Sequence, residues 1–375
     1  MIYTDFHGEK LSLLGFGTMR LPLVPGGGPA DIDEKTTADM VRYAMDHGVN
    51  YFDTAYPYHG GMSERVIGRV LKDYDRQSFY LATKYPGHQI SDSYDPAAIF
   101  EEQLRNCGVE YFDFYLLHNV YEKSIETYTD PRWGIIDYFL EQKKNGRIRH
   151  LGFSSHGGLE LLENFLSRYG KDMEFCQIQL NYLDWTMQDA KKQYEIITEH
   201  GLPVWVMEPV RGGRLASLGR KYDDMLQAAK PEWSVPAWAF HWLMSLDNVT
   251  MILSGMSDMD QIRDNVATFA KEEPLTKEQA MLLMNIAAGY QSKLAVPCTA
   301  CRYCCDGCPA GIDIPVWMNL YNELSLTKDR KRWEEAMKAE NGPAECIGCG
   351  QCTSHCPQSI DVPGYMGRLL DAAPL

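Results

Sequence analysis

Short apolar runs, rich in β-branched and aromatic residues, alternate with amphipathic stretches about every 30 residues from residue 11 to about 270, the signature of repeated βα units. The runs fall at 13–17, 49–53, 79–83, 112–117, 148–153, 175–179, 203–207 and 249–253. Eight of them predict an α/β fold, a closed (β/α)8 TIM barrel. Ahead of the first, residues 2–6 and 10–13 flank His7-Gly8-Glu9 and predict a hairpin that covers the barrel floor.

The pattern changes near residue 290. Nine of the 11 cysteines lie beyond it, which divides the chain into a barrel over 1–290 and a second domain over 291–375. Cys107 and Cys176, in helical and strand patterns, read as buried small apolar residues. The others form two combs, Cys298, Cys301, Cys304, Cys308 and Cys346, Cys349, Cys352, Cys356, each followed by proline. This CxxCxxCxxxCP spacing wraps three thiolates around one 4Fe-4S cube and sends the fourth to a neighbouring cube. The expected sets are Cys298, Cys301, Cys304 with Cys356, and Cys346, Cys349, Cys352 with Cys308. Zinc would favour paired CxxC units with a wider gap, and disulfides suit secreted chains. Cys305 could replace Cys304 in a shifted register. The internal repeat decides for Cys304, because the combs and the IDIP and IDVP segments after them are offset by the same 48 residues. Between the combs, apolar spacing at Val316, Leu320 and Leu324 predicts helices and no sheet. The segment resembles helical two-cluster ferredoxin domains of multi-subunit oxidoreductases, a resemblance that implies electron transfer.

Composition narrows the partners. At 375 residues and 45% hydrophobic content the chain can bury a large core, and its net charge of −15 argues against nucleic acid or an anionic membrane as partner. No apolar stretch is long enough for a membrane span and the N-terminus lacks an export pattern, so the expected location is cytoplasmic.

Barrel chemistry collects at the C-terminal ends of strands. Asp53 ends the second run, Tyr58 follows it, Lys84 ends the third and His118 the fourth. A phenol with pKa near ~10 is a poor proton donor at neutral pH, and a buried ammonium beside it corrects this. Lys84 is placed to do so for Tyr58, with Asp53 holding the ammonium and His118 hydrogen-bonding a substrate oxygen.

The run from Asp53 to Glu64, with Ala82-Thr83-Lys84 and Leu117-His118, resembles the aldo-keto reductase superfamily. Gly15-Phe16-Gly17-Thr18, Gly152-Phe153-Ser154-Ser155 and Ser254-Gly255 to Asn265 extend the resemblance over roughly the first 290 residues. It implies an NAD(P)-dependent reductase of small carbonyls, or the reverse alcohol oxidation, with Asp53, Tyr58, Lys84 and His118 as its tetrad. It also implies a cofactor site from Gly17, Thr18, Asp53, Ser154, Ser155, Gln177, Met207, Gly255, Met256, Ser257, Gln261 and Asn265. Two departures stand out. Where many NADPH-preferring members carry cations, this chain has Met256, Ser257 and Gln261, so a preference for the 2′-phosphate is in doubt. Where many place an aromatic ring against nicotinamide, it has Met207. Nearby Arg211 either grips a pyrophosphate or substrate carboxylate or makes a loop salt bridge.

Nicotinamide moves two electrons as hydride, whereas each cluster takes one. Three readings follow: an NADPH- or NADH-dependent enzyme whose clusters couple to a redox protein or cap the pocket; a ferredoxin-linked reductase with barrel-bound FMN; and a non-enzymatic relay subunit. The substrate is set by loops at 91–94 and 121–133 and by Trp185, and Tyr56, Tyr85, Tyr121 and Trp133 suggest an aromatic wall.

Overall fold

Eight parallel strands close into one barrel in the order β10-β3-β4-β5-β6-β7-β8-β9, where β3 is Leu14–Gly17, β4 Tyr51–Asp53, β5 Tyr80–Tyr85, β6 Phe112–Val120, β7 Ile148–Ser155, β8 Cys176–Gln179, β9 Val204–Met207 and β10 Val249–Gly255. The structure is a computed structural model; it describes residues 1–375 apart from Ile90, Ala300 and Asp306, and apart from the side chains of Leu326 and Thr327. Each predicted strand is present. Four of them, β5, β6, β7 and β10, run further than the apolar pattern suggests, so that Lys84, His118, Ser154 and Ser155 sit within strands instead of just after them.

Ahead of the barrel, β1 (Tyr3–Phe6) and β2 (Glu9–Ser12) pair antiparallel, with Phe6 opposite Glu9. The turn is therefore two residues, not three. His7 and Gly8 take φ of 52° and 86°, as a hairpin turn matched to strand twist requires. Phe6 then packs against Phe114, Phe175 and Trp205 at ring separations of 5.5, 6.1 and 5.6 Å. These rings stand toward the N-terminal ends of their strands, so the hairpin plugs the floor and the opposite end is left for chemistry. Close strand approach depends on Gly152, where a Cβ would lie 2.6 Å from the Phe175 carbonyl oxygen.

Local signals set the surrounding helices. The helix Pro96–Cys107 starts at Asp95, whose side chain accepts from Ala98 N, and stops at left-handed Gly108. Asp258 does the same for Met259–Thr268, accepting from Asp260 N and Gln261 N.

The chain divides into two compact units, one of residues 1–210 and 219–281, the other of 211–218 and 282–375. The sequence boundary near 290 falls inside the helix Lys277–Gln291, which continues unbroken past the first unit. In the second unit the described residues form no strand; its helices include Ile314–Thr327, Arg330–Ala336, Gln351–Ser354 and Val362–Leu370. Asp313 and Asp361 stand at the N-caps of two of these, each with proline in the first turn, which realises the IDIP and IDVP repeat. Trp317, Met318, Leu324, Met366 and Leu369 form the core together with Cys298, Cys304 and Cys352. Buried Asn322 accepts from Ala295 N and Val296 N and donates to Val296 O, which pins the segment entering the first comb. No helix among the described residues is long and apolar enough to cross a membrane.

Candidate functional site

Strand ends bring the four ionisable residues together. Lys84 Nζ donates to Asp53 Oδ1 at 2.6 Å and to the Thr54 carbonyl at 2.7 Å, and lies 5.0 Å from the Tyr58 ring centroid. The Tyr58 and His118 rings stand edge to face at 5.9 Å. Asp53, Lys84 and His118 are buried, while Tyr58 keeps partial access to solvent. Burial pushes the Asp53 carboxyl up and the Lys84 ammonium down, and each charge is supported by the other. Thr18 fixes the assembly from behind, with its N and Oγ1 both donating to the Asp53 carbonyl at 2.9 Å.

Three groups here escape sequence reasoning. The His88 ring lies 4.3 Å from that of His118, and His156 follows Ser155 at the end of β7. Burial holds the His118 imidazole well below its usual pKa, reinforced by His88, Lys84 and His156; burial also lowers His156 to about 4. Behind Lys84, the wholly buried Glu64 carboxylate accepts from Thr83 Oγ1 at 2.6 Å and Gln103 Nε2 at 2.8 Å. Gln103 Nε2 also donates to the Lys84 carbonyl at 3.0 Å. Only the DTAYPYHGGMSE run hinted at Glu64. His88 and His156 lie in loops with no periodic pattern to mark them.

Of the rings expected to form an aromatic wall, Tyr85 and Tyr56 are engaged elsewhere. Tyr85 follows Lys84 in the strand and so faces the opposite way, packing on Phe139 at 5.2 Å. Tyr56 donates to Glu102 at 2.9 Å, and Trp185 packs on Trp242 at 5.2 Å. Tyr121 is buried, and the Trp133 ring stands 5.4 Å from that of Tyr94.

The residues expected to hold a dinucleotide line up along neighbouring strand ends. Ser154 Oγ accepts from Asn119 N at 2.8 Å, and Ser155 Oγ donates to the Val120 carbonyl at 2.8 Å. Gln177 Nε2 reaches Met207 Sδ at 3.6 Å, while buried Gln177 Oε1 has no hydrogen-bond partner among the described residues. An orphaned acceptor is costly unless a ligand N–H meets it, so this site fits a carboxamide. Gly17 and Gly255 pair across β3 and β10, and Met256 is buried. Ser257 Oγ donates to the Arg20 carbonyl at 2.7 Å, and Asn265 Nδ2 to Ser254 Oγ at 2.9 Å. Gln261 binds back to Asp258 and Ser257. Arg20 passes beside Gly255, but its guanidinium pairs with Glu208 at 3.3 Å. Arg211 belongs to the second unit, where it is fully buried and donates to the Pro297 carbonyl at 3.1 Å.

In that unit the combs cross. Cys298, Cys301, Cys304 and Cys356 line one cavity, and Cys308, Cys346, Cys349 and Cys352 line another. Cys305 lines neither. No set of three or more His, Cys, Asp or Glu among the described residues converges as a single ion requires. Thiols spread around a cavity suit a cube bound at its corners, so the residues fit the clusters. Burial pushes the Cys301 thiol up to about 12, and coordination is what deprotonates such a group.

Comparison with known proteins matches residues 13–287 to the Aldo/keto reductase family and residues 297–360 to a 4Fe-4S dicluster domain. The NADH-specific methylglyoxal reductase of Escherichia coli (strain K12) is 26% identical over 303 residues, covering 68% of this chain and 89% of that protein. L-galactose dehydrogenase of Arabidopsis thaliana is 24% identical over 73% of this chain and 89% of its own. The holo form of aldo-keto reductase AKR11C1 from Bacillus halodurans superposes with a TM-score of 0.61 at 26% identity, covering 76% of this chain and 96% of that one.

Proposed function

The chain belongs to the aldo/keto reductase family, and from that premise we propose that it reduces a small carbonyl compound with NADH, or oxidises the matching alcohol, using Tyr58 as general acid and base. The observation that carries this reading is the buried Lys84–Asp53 pair set against the Tyr58 ring, with His118 facing it.

Tyr58 gives its proton to the carbonyl oxygen, and the Lys84 ammonium stabilises the phenolate left behind. Asp53 and the Thr54 carbonyl hold that ammonium in place. Positioned proton transfer of this kind contributes about 10²- to 10⁴-fold in rate. His118, kept neutral by its surroundings, retains one N–H with which to orient the substrate oxygen. Ser154, Ser155 and Gln177 hold the carboxamide, with Gln177 Oε1 as its acceptor. Bound nicotinamide supplies or takes the hydride.

NADH is favoured over NADPH by charge. The segment from Met256 to Gln261 carries no cation, Asp258 takes the helix cap there, and Glu208 pairs with the nearby Arg20. A 2′-phosphate would meet acids where it needs bases. The related Escherichia coli enzyme is NADH-specific, and its dicarbonyl makes methylglyoxal the first substrate to try. The clusters supply one-electron transfer, which makes a small redox protein their proposed partner.

Purification without air, extraction of bound cofactor, and NADH consumption with methylglyoxal and an aldehyde panel test the reading. Turnover with NADH and no bound flavin is expected. Bound FMN with no NADH turnover would replace this reading with a ferredoxin-linked one.

A further inference from the structure

After β9 the chain turns sharply through Arg211, Gly212 and Gly213, with φ of 49°, 63° and 89°. A non-glycine residue in this region costs on the order of 1 kcal/mol, so something holds Arg211 there. Its guanidinium is fully buried and donates to the carbonyl of Pro297, the residue directly ahead of Cys298. Three residues on, Arg214 is 9% exposed; burial disfavours its charge, and the neighbouring Cys298 sulfur and Tyr290 hydroxyl favour it. Its Nη1 and Nη2 have no hydrogen-bond partner among the described residues. All of these residues lie within the second unit.

A buried guanidinium with unused donors is expensive unless an anion faces it. Four thiolates around a 4Fe-4S cube supply an anionic group whose sulfurs accept hydrogen bonds, and reduction adds one more negative charge. A fixed cation beside it therefore stabilises the reduced form more than the oxidised one. Arg302 lines the first cavity, but Asp313 answers its charge at 3.0 Å. The residues lining the second cavity include no charged side chain.

Resting on the crossed ligand sets above, we propose that Arg214 is the buried counter-cation of the cluster held by Cys298, Cys301, Cys304 and Cys356, and that it raises that cluster's reduction potential while leaving the other's alone. Arg211 acts as a positioning residue, fixing the chain at Pro297 so that Cys298 meets Arg214. The loop after β9 thus belongs functionally to the clusters.

The test is a dithionite titration of the full-length protein with both clusters loaded, followed by electron paramagnetic resonance. It needs no turnover, so it stands or falls apart from the carbonyl chemistry. In R214Q, one of the two one-electron waves is expected to move to lower potential by at least tenfold in the reduced-to-oxidised ratio, about 59 mV. That wave is the one whose signal C298S alters, and R214K lies between R214Q and the unaltered protein. Two unmoved waves, or a shift on the wave that C349S alters, would overturn the assignment. If R214Q assembles only half the iron, R214K decides: a lowered first wave upholds the assignment, and an unchanged one overturns it.

Discussion

Lys84 Nζ donates to Asp53 Oδ1 at 2.6 Å with both side chains closed off from water. Each charge is tolerable only because of the other, so K84M leaves an uncompensated buried carboxylate and is expected to cost about 3–5 kcal/mol of stability. Removing both charges in D53N/K84M restores much of that stability but none of the activity. Denaturant melts beside turnover separate the two effects, and a double variant no more stable than K84M would show that the pair is not the source.

Cofactor choice follows from charge at the helix cap. NADH is expected to give a kcat/KM at least ten times that of NADPH, and M256K/Q261R narrows the gap by supplying two phosphate partners, each worth about 1.5–3 kcal/mol at best. Steady-state kinetics with both nucleotides checks this. A preference for NADPH in the unaltered protein would show that another cation, Arg20 foremost, reaches the phosphate.

Acid should loosen the mouth of the barrel. His118 is held well below pKa 6.5 and His156 falls to about 4, so the unfolded chain binds protons that the folded chain refuses. Stability is therefore lost as pH falls from about 6.5 toward 4, at up to about 1.4 kcal/mol per pH unit for each histidine. The His156 share is smaller, because its edge reaches solvent. Denaturant midpoints between pH 7 and 5 are expected to fall less steeply in H156Q, and equal slopes would remove His156 from the account.

Crossed ligation makes a prediction that sequence order does not. C356S is expected to disturb the same cluster signal as C298S, and C308S the same signal as C349S, because those residues share cavities. Uncrossed combs would pair C356S with C349S instead. Spectra of the four variants, loaded without air, decide it.

Much of this was legible in the chain. Alternating βα runs gave the barrel, fixed spacings gave the combs, and strand-end chemistry gave Asp53, Tyr58, Lys84 and His118. What escaped was whatever depends on which side of a strand a residue faces or on partners far away in sequence. Tyr85 looked like pocket wall yet faces away because Lys84 faces in. Arg211 was open between an anion grip and a loop salt bridge, and its bond to Pro297 spans 86 residues that no local pattern connects. His88 joins His118 only through the fold. Glu64 carried a motif but no visible task until Thr83 and Gln103 met it.

The most direct test of the central claim compares Y58F with the unaltered protein, both purified without air to equal iron content. The measurement is NADH consumption with methylglyoxal or the best carbonyl of the panel. Loss of at least about 10²-fold in kcat, with nucleotide binding intact, is the predicted result. Unchanged turnover in Y58F would contradict a carbonyl-reducing pocket built on Tyr58.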